Sequence, residues 1–419
     1  MPKSFLFATM PGAGHTNPLK PIARVLVERG HSVRWLTGRR FQTSVESTGA
    51  TYVPMSDAID YNFDNLEEVF PDRVGLTGLS CIRYDFKHVF LDPAVQQLAD
   101  LRAVLSRTPV DAVIADQGVI GAAFLHRLDG VPWISVGITA VTAPSRDTAP
   151  FGLGLPPSAT PLGRVRNRAL NTLLERVLLR DVGKHARTVR GRVGLPTGRE
   201  SFLSIISPLL HLQNGIAEVE YPRSDLPPQI RFVGHLAERP GLADVPPWAD
   251  DVMRATVPIV HVTQGTVADG DLTALVVPTI DALAGEDVLV VAGTGRGSVG
   301  PVPANVRTAP FIPHAWLLPE TDAMVTNGGY GGVQAALSNG VPLVVAGDTE
   351  EKPEIAAHVA WTGAGVNLKT GRPSAARIRE GVRAVLDRPA YRQRAHELRD
   401  IYGKLDAGQE SATLIEQAL

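Results

Sequence analysis

Residues 311–368 leave this chain few possible folds: FIPHAWLLPETDAMVTNGGYGGVQAALSNGVPLVVAGDTEEKPEIAAHVAWTGAGVNL. The segment uses one device twice, an apolar run followed by a glycine turn and then a helix-spaced stripe. Residues 322–326 (DAMVT) are long enough for a buried strand and stop at Asn327-Gly328-Gly329. Val333, Ala336 and Leu337 then recur at helical spacing until Gly340, a helix stop. Residues 341–346 (VPLVVA) read as the next strand, Gly347-Asp348-Thr349 as its turn, and Ile355, Ala356 and Val359 as one face of a helix. In parallel α/β sheets, loops at the carboxyl ends of strands open onto helix amino-termini and hold anions. With no Cβ, Gly328 and Gly329 let a phosphate approach the backbone N–H groups.

The amino-terminus repeats the pattern. Residues 3–9 read as a strand, MPGAGHTN (10–17) as a glycine loop, and Asn17 as the cap of a helix with Pro18 at its first position. Leu19, Ile22, Ala23 and Leu26 form its stripe, Gly30 ends it, and residues 31–37 are the second strand. A short helix at 41–49 and strands at 52–54, 111–115 and 132–136 continue the alternation, with a helix at 119–128. Residues 57–90 are irregular and carry Tyr61, Phe63, Phe70, Tyr84, Phe86 and Phe90. From 137 to 194 a Pro/Gly/Thr-rich loop precedes an arginine-studded helical region, whose arginines read as a solvated face. Short strands follow around Ser204 and His211. Five prolines (227, 228, 240, 246 and 247) mark 225–251 as the linker, after which residues 258–263 and Gln264-Gly265-Thr266 restart the strand–loop pattern.

At 419 residues, two or three domains are expected. A net charge of −2 gives no electrostatic reason for a nucleic-acid partner. The single cysteine, Cys81, rules out an internal disulfide and suits a reducing cytoplasm. The apolar run at the amino-terminus is too short for a signal segment, and no stretch is long enough to span a membrane.

The order, spacing and residue types of 311–368 resemble the nucleotide-sugar signature of the family 1 glycosyltransferases. Three positions depart from it: Asn327 replaces a phosphate-binding histidine, His314 replaces a glutamine, and Glu351-Lys352 replaces Asp-Gln. The resemblance implies an α/β, GT-B architecture of two Rossmann-like domains facing each other across a cleft. Its boundaries would be 1–225 for the acceptor domain, 226–251 for the linker, 252–400 for the nucleotide-sugar domain, and 401–419 for a helix crossing back. Gly14-His15-Thr16-Asn17-Pro18 resembles the catalytic-base loop of the family. Histidine has the unperturbed pKa suited to taking an acceptor proton near neutrality. Asp116 stands where family members place the aspartate that orients this base. On the donor side the resemblance implies Gly14, Thr266, Asn327, Gly328 and Gly329 at the diphosphate. It implies Phe311 stacking on the base with the Ile312 backbone reading its edge, and Glu351 and Lys352 at the sugar. Lys352 and the helix dipole are expected to replace the charge that Asn327 lacks.

The expected function is inverting, metal-independent transfer from a UDP- or dTDP-sugar to a hydroxyl of a small apolar acceptor, such as a polyketide, macrolide, lipid or flavonoid-like molecule. No cofactor and no metal are expected, because Asp269-Gly270-Asp271 opens a helix as a solvated cap and no histidines have zinc-site spacing. Two alternatives stand beside it. One is an NADP-dependent oxidoreductase, using Gly12-x-Gly14 with Arg39-Arg40 at the 2′-phosphate; the other is a non-catalytic sugar-nucleotide-binding protein.

Overall fold

The computed structural model describes residues 1–57, 59–61, 66–197, 205–238, 245–265 and 271–419. They build two all-parallel sheets. The first has the order β3-β2-β1-β4-β5-β6-β7: β1 Ser4–Ala8, β2 Ser32–Thr37, β3 Thr51–Pro54, β4 Ala112–Asp116, β5 Trp133–Gly137, β6 Leu210–Asn214 and β7 Ile230–Gly234. The second has the order β10-β9-β8-β11-β12-β13: β8 Ile259–Thr263, β9 Leu289–Gly293, β10 Val306–Ala309, β11 Ala323–Thr326, β12 Leu343–Val345 and β13 Gly365–Asn367. Helices cover both faces of each sheet, which is why the strands read as continuous apolar runs. In β1, Phe5 and Phe7 join one core with Ile22 and Leu26, while Leu6 and Ala8 join another with Val113 and Leu125. The period-2 alternation of a strand thus feeds two separate cores.

Three expectations change. Asn17 is not a cap: its backbone is already helical (φ −60°, ψ −40°), and the extended residue before the turn is Gly12 (φ −130°, ψ 145°). Helical backbone begins at Ala13, a 3₁₀ turn takes in Asn17–Leu19, and the main helix is Lys20–Glu28. Second, the span expected as linker contains β7, which pairs with β6. Prolines 227 and 228 precede this strand instead of interrupting it, so its N–H groups remain available to the ladder. Third, the aromatic segment is mostly helical, with Gly78–Tyr84 running into a π-turn at Asp85–Leu91. Tyr61, Phe70, Phe86 and Phe90 pack on the first core. Phe63 and Ser204 lie outside the described residues.

The last helix, Ala407–Ala418, lies on the first half, where Ala412, Leu414 and Ile415 complete the core of Phe5, Phe7 and Ile22. Glu416 receives both Arg29 Nη1 at 2.7 Å and His31 Nε2 at 2.8 Å. The halves also share a core directly: Ala140, Ile216 and Val219 pack with Tyr330, Val333, Ile355 and Val359.

Candidate active site

In each sheet the chain reverses its winding between two neighbouring strands, β1 and β4 in the first and β8 and β11 in the second. Crevices outside the carboxyl ends of such strands are where α/β sheets place their ligands. Both crevices here are bridged by a side chain.

The first bridge is His15 with Asp116. His15 Nδ1 lies 2.8 Å from Asp116 Oδ1. Asp116, the last residue of β4, is fully buried, while the His15 side chain keeps 17 % exposure. The carboxylate is held from the backbone as well: Met10 N–H donates to Oδ2 at 2.8 Å and Gly118 N–H to Oδ1 at 2.6 Å. With only acceptors on the carboxylate, Nδ1 of His15 is the donor, and in the neutral ring Nε2 carries the lone pair. Asp116 thereby also closes the turn ahead of Gly118. A Cβ on Gly118 would stand 2.9 Å from Asp116 Oδ1 and 3.2 Å from His15 Cε1, so this glycine makes room for the pair. Behind it, Thr9 Oγ1 receives Trp35 Nε1 at 3.0 Å, donates to Thr37 Oγ1 at 3.0 Å and lies 3.2 Å from Thr16 Oγ1. Gly118 and this buried threonine cluster escaped sequence reasoning, because no spacing rule links a glycine to a histidine about a hundred residues earlier.

The second bridge is Asn327 with Gln264. The Asn327 amide donates to the Gln264 carbonyl across β8 and β11, and its Oδ1 accepts Gly329 N–H at 3.3 Å. Asn327 therefore braces the turn, where the expectation had it donating to a diphosphate. Gly328 has φ +88°, and a Cβ there would meet Val345 Cγ1 at 2.9 Å. Gly347 is tighter still: its Cβ would overlap the Asn327 carbonyl oxygen. The helix Tyr330–Ser338 starts directly behind the turn and aims its first-turn N–H groups into the crevice. Gly14 faces open space, with nothing within 4 Å of a Cβ. Phe311 is 74 % exposed and Ile312 buried, so Phe311 is not core. Thr266 lies outside the described residues.

Glu351 and Lys352 begin the helix Lys352–Thr362. The Lys352 ammonium is paired with Glu350 and donates to Thr349 Oγ1 at 3.1 Å, so its charge is already compensated. That differs from the expectation of a cation directed at the diphosphate. Burial, then the neighbouring Glu350 charge, pushes the Glu351 carboxyl above its ordinary range; Lys352 and His15 pull it back. Tyr330, the first residue of the helix behind the Asn327 turn, donates its hydroxyl to the Asn214 carbonyl at the end of β6, so the carboxyl ends of the two sheets face each other. Burial, and then the charge of Asp116, raise the Tyr61 hydroxyl, whose ring shares a core with Met10 and Ala115 beside the same site.

Asp269 and Gly270 lie outside the described residues. Asp271 caps a 3₁₀ turn by accepting Thr273 N–H at 3.1 Å, and pairs with Arg372 at 2.6 Å. Among the described residues no group of three His, Cys, Asp or Glu is arranged to hold a metal ion, and no helix is long and apolar enough to cross a membrane. Arg39 is engaged by Asp57 at 3.0 Å, and Arg40 stands 4.9 Å over the Phe41 ring.

Comparison with known proteins agrees with this geometry. Residues 274–412 match the family described as Erythromycin biosynthesis protein CIII-like, C-terminal domain. The chain is 50 % identical over 417 residues to 4'-demethylrebeccamycin synthase of Lentzea aerocolonigenes, covering 98 % of both chains. It is 35 % identical to UDP-glycosyltransferase 2 of Phaeomoniella chlamydospora, covering 98 % of this chain and 95 % of the other. Among solved structures, the calicheamicin glycosyltransferase CalG4 superposes with a TM-score of 0.77 at 21 % identity, covering 100 % of this chain and 98 % of that one. The glycosyltransferase VinC, solved in complex with dTDP, superposes at 0.69 and 19 %, covering 99 % of each. These relationships and the two facing parallel sheets exclude the oxidoreductase: the chain belongs to the family 1 glycosyltransferases and has their GT-B fold.

Proposed function

We propose that this enzyme moves a sugar, with inversion and without a metal, from a UDP- or dTDP-sugar to a hydroxyl of a small apolar natural product. The observation that carries the reading is the His15–Asp116 pair at the carboxyl end of β4, its imidazole fixed through Nδ1 on a fully buried carboxylate and still 17 % exposed. Nε2 of His15 takes the acceptor proton while the acceptor oxygen attacks the anomeric carbon. The bond from that carbon to the diphosphate oxygen breaks on the opposite face, and the nucleoside diphosphate leaves with the electron pair. Asp116 keeps the proton on Nδ1 and stabilises the imidazolium that forms. The diphosphate rests on the amino-terminus of Tyr330–Ser338, where N–H groups and the helix dipole meet its charge. Glu351 accepts hydroxyls of the sugar, Phe311 stacks on the base, and the Ile312 backbone reads its edge. The relative 4'-demethylrebeccamycin synthase is named for the natural product it makes, and the acceptor intended here is the unglycosylated precursor of such a compound.

Two measurements test this. UDP or dTDP at a hundredfold excess over its dissociation constant should stabilise the fold by about 2.7 kcal/mol, seen as a rise in Tm. His15→Ala should keep that rise and lose about 10²–10⁴-fold in turnover. Turnover retained in His15→Ala would remove the base; a chain stabilised by neither nucleotide would remove the donor class.

A further inference from the structure

We propose that Glu354 is a positioning residue that ties the loop after β5 to the helix facing the donor sugar. The inference rests on the donor and acceptor sides assigned above. Glu354 lies in the first turn of Lys352–Thr362, one turn beyond Glu351, and is only 4 % exposed. Its Oε2 accepts two backbone N–H groups from the other half of the molecule, Gly152 at 3.0 Å and Gly154 at 2.8 Å. Two amides from residues two apart can converge on one oxygen only if the backbone between them curls. Gly152 and Gly154 supply that curl with φ +94° and +60°. The contact is close: a Cβ on Gly154 would stand 2.8 Å from the Pro353 carbonyl oxygen and 3.5 Å from Ala357 Cβ.

A buried ionic cluster fixes the carboxylate from behind. His358, one turn further along the same helix, places Nε2 2.8 Å from Glu220 Oε1 and Nδ1 3.8 Å from Glu354 Oε1. Its ring stacks on Tyr221 at 3.7 Å. Glu220 also receives Val141 N–H at 2.8 Å and Arg223 Nη1 at 3.2 Å, while Arg223 Nη2 donates to the Val141 carbonyl at 2.9 Å. Both ends of the loop that leaves β5 are thus held, Val141 through Glu220 and Gly152–Gly154 through Glu354. Burial opposes the His358 cation, yet the two carboxylates outweigh it and hold the imidazole above its ordinary range. The cluster is not part of the chemistry: its members bond one another and the loop backbone. What it sets is the distance between the wall formed by 139–154 and the helix carrying Glu351. A group that keeps its partners in both halves transmits the position of one to the other.

Hydrogen exchange of the full chain, followed by mass spectrometry, tests this. Glu354→Ala should speed exchange of 151–155 about tenfold or more, with β1, β2 and β8 unchanged. Glu354→Gln, whose amide oxygen still accepts, should fall between the two. Saturating UDP or dTDP should slow exchange at 151–155 in the native chain and leave it unaltered in Glu354→Ala, while nucleotide affinity changes by less than about threefold. Unaltered exchange at 151–155, equal acceleration throughout the molecule, or a nucleotide response that survives in Glu354→Ala would each overturn the role. Should no nucleotide bind the native chain, the donor assignment fails, and the difference between the unliganded proteins still decides the tie.

Discussion

The two switch points solve one problem by different means. Between β1 and β4 the crevice is spanned by side chains, with the His15 ring on a carboxylate that two backbone N–H groups hold in place. Between β8 and β11 the Asn327 side chain also ties the strands, but what it braces is a backbone turn shaped by glycine, where Gly328 and Gly347 remove the atoms that would collide. In the proposed reaction the first crevice holds a group that gains and loses a proton, which calls for a titratable side chain fixed in one tautomer. The second presents N–H groups and a helix dipole, which need close approach and no proton chemistry. A site built from side chains tolerates backbone change that a site built from backbone does not.

The sharpest way to break that comparison is a methyl group on each side. Gly347→Ala forces a Cβ into the Asn327 carbonyl, and the turn must move. A loss of about 1–3 kcal/mol in folding stability is expected from the overlap, together with weaker UDP or dTDP binding, read by urea titration and calorimetry. Gly14→Ala, by contrast, places its methyl in open space at a helical residue, so stability should hold or rise by up to about 1 kcal/mol. Equal losses in the two variants would mean that the halves do not differ in this way.

Acid should strain both halves, because each buries a neutral histidine. Burial lowers His211 of β6 to about 4 and His261 of β8 to about 3, the latter with help from His314. The unfolded chain binds a proton near 6.5 that the folded chain refuses. Stability is therefore full above pH 6.5 and falls as pH drops toward the folded values. Each histidine contributes about 1.4 kcal/mol per pH unit in that window, so each should cost about 2 kcal/mol at pH 5. Urea midpoints from pH 7 to 5 check this, and His261→Gln should flatten the slope by the share of the second half.

How much of this was legible follows the same division. His15 and Asp116 stand out in sequence because a histidine in a glycine loop and an aspartate ending an apolar run are chemical signals. The Rossmann alternation was equally readable, since strands buried on both faces are written as apolar runs. The bracing role of Asn327 was not, because an amide serves a ligand or a carbonyl equally well and only the position of Gln264 decides. Strand β7 was hidden by the prolines beside it. The pairing of Lys352 with Glu350 needed the left-handed turn at Glu350 (φ 56°), which carries no glycine to announce it. Glu354 and His358 read as ordinary residues of a helix, and their partners lie more than a hundred residues away.

Phe311 gives the smallest expected effect and a clean one. A phenylalanine with 74 % of its surface in water adds little to the core, so Phe311→Ala should leave Tm within about 1–2 °C. Ile312 beside it is buried among Val291, Leu317 and Val252 and fixes the backbone on which Phe311 stands. An exposed ring held on a rigid support can stack on a base at little entropic cost, and such stacking is worth about 1–3 kcal/mol. Phe311→Ala should accordingly weaken UDP or dTDP binding by about tenfold, measured by calorimetry, with Phe311→Trp restoring it. This would add a stacked side chain to a donor site whose proposed diphosphate contacts are backbone. An unchanged affinity would leave nucleotide binding to backbone and draw the contrast with His15 more sharply still.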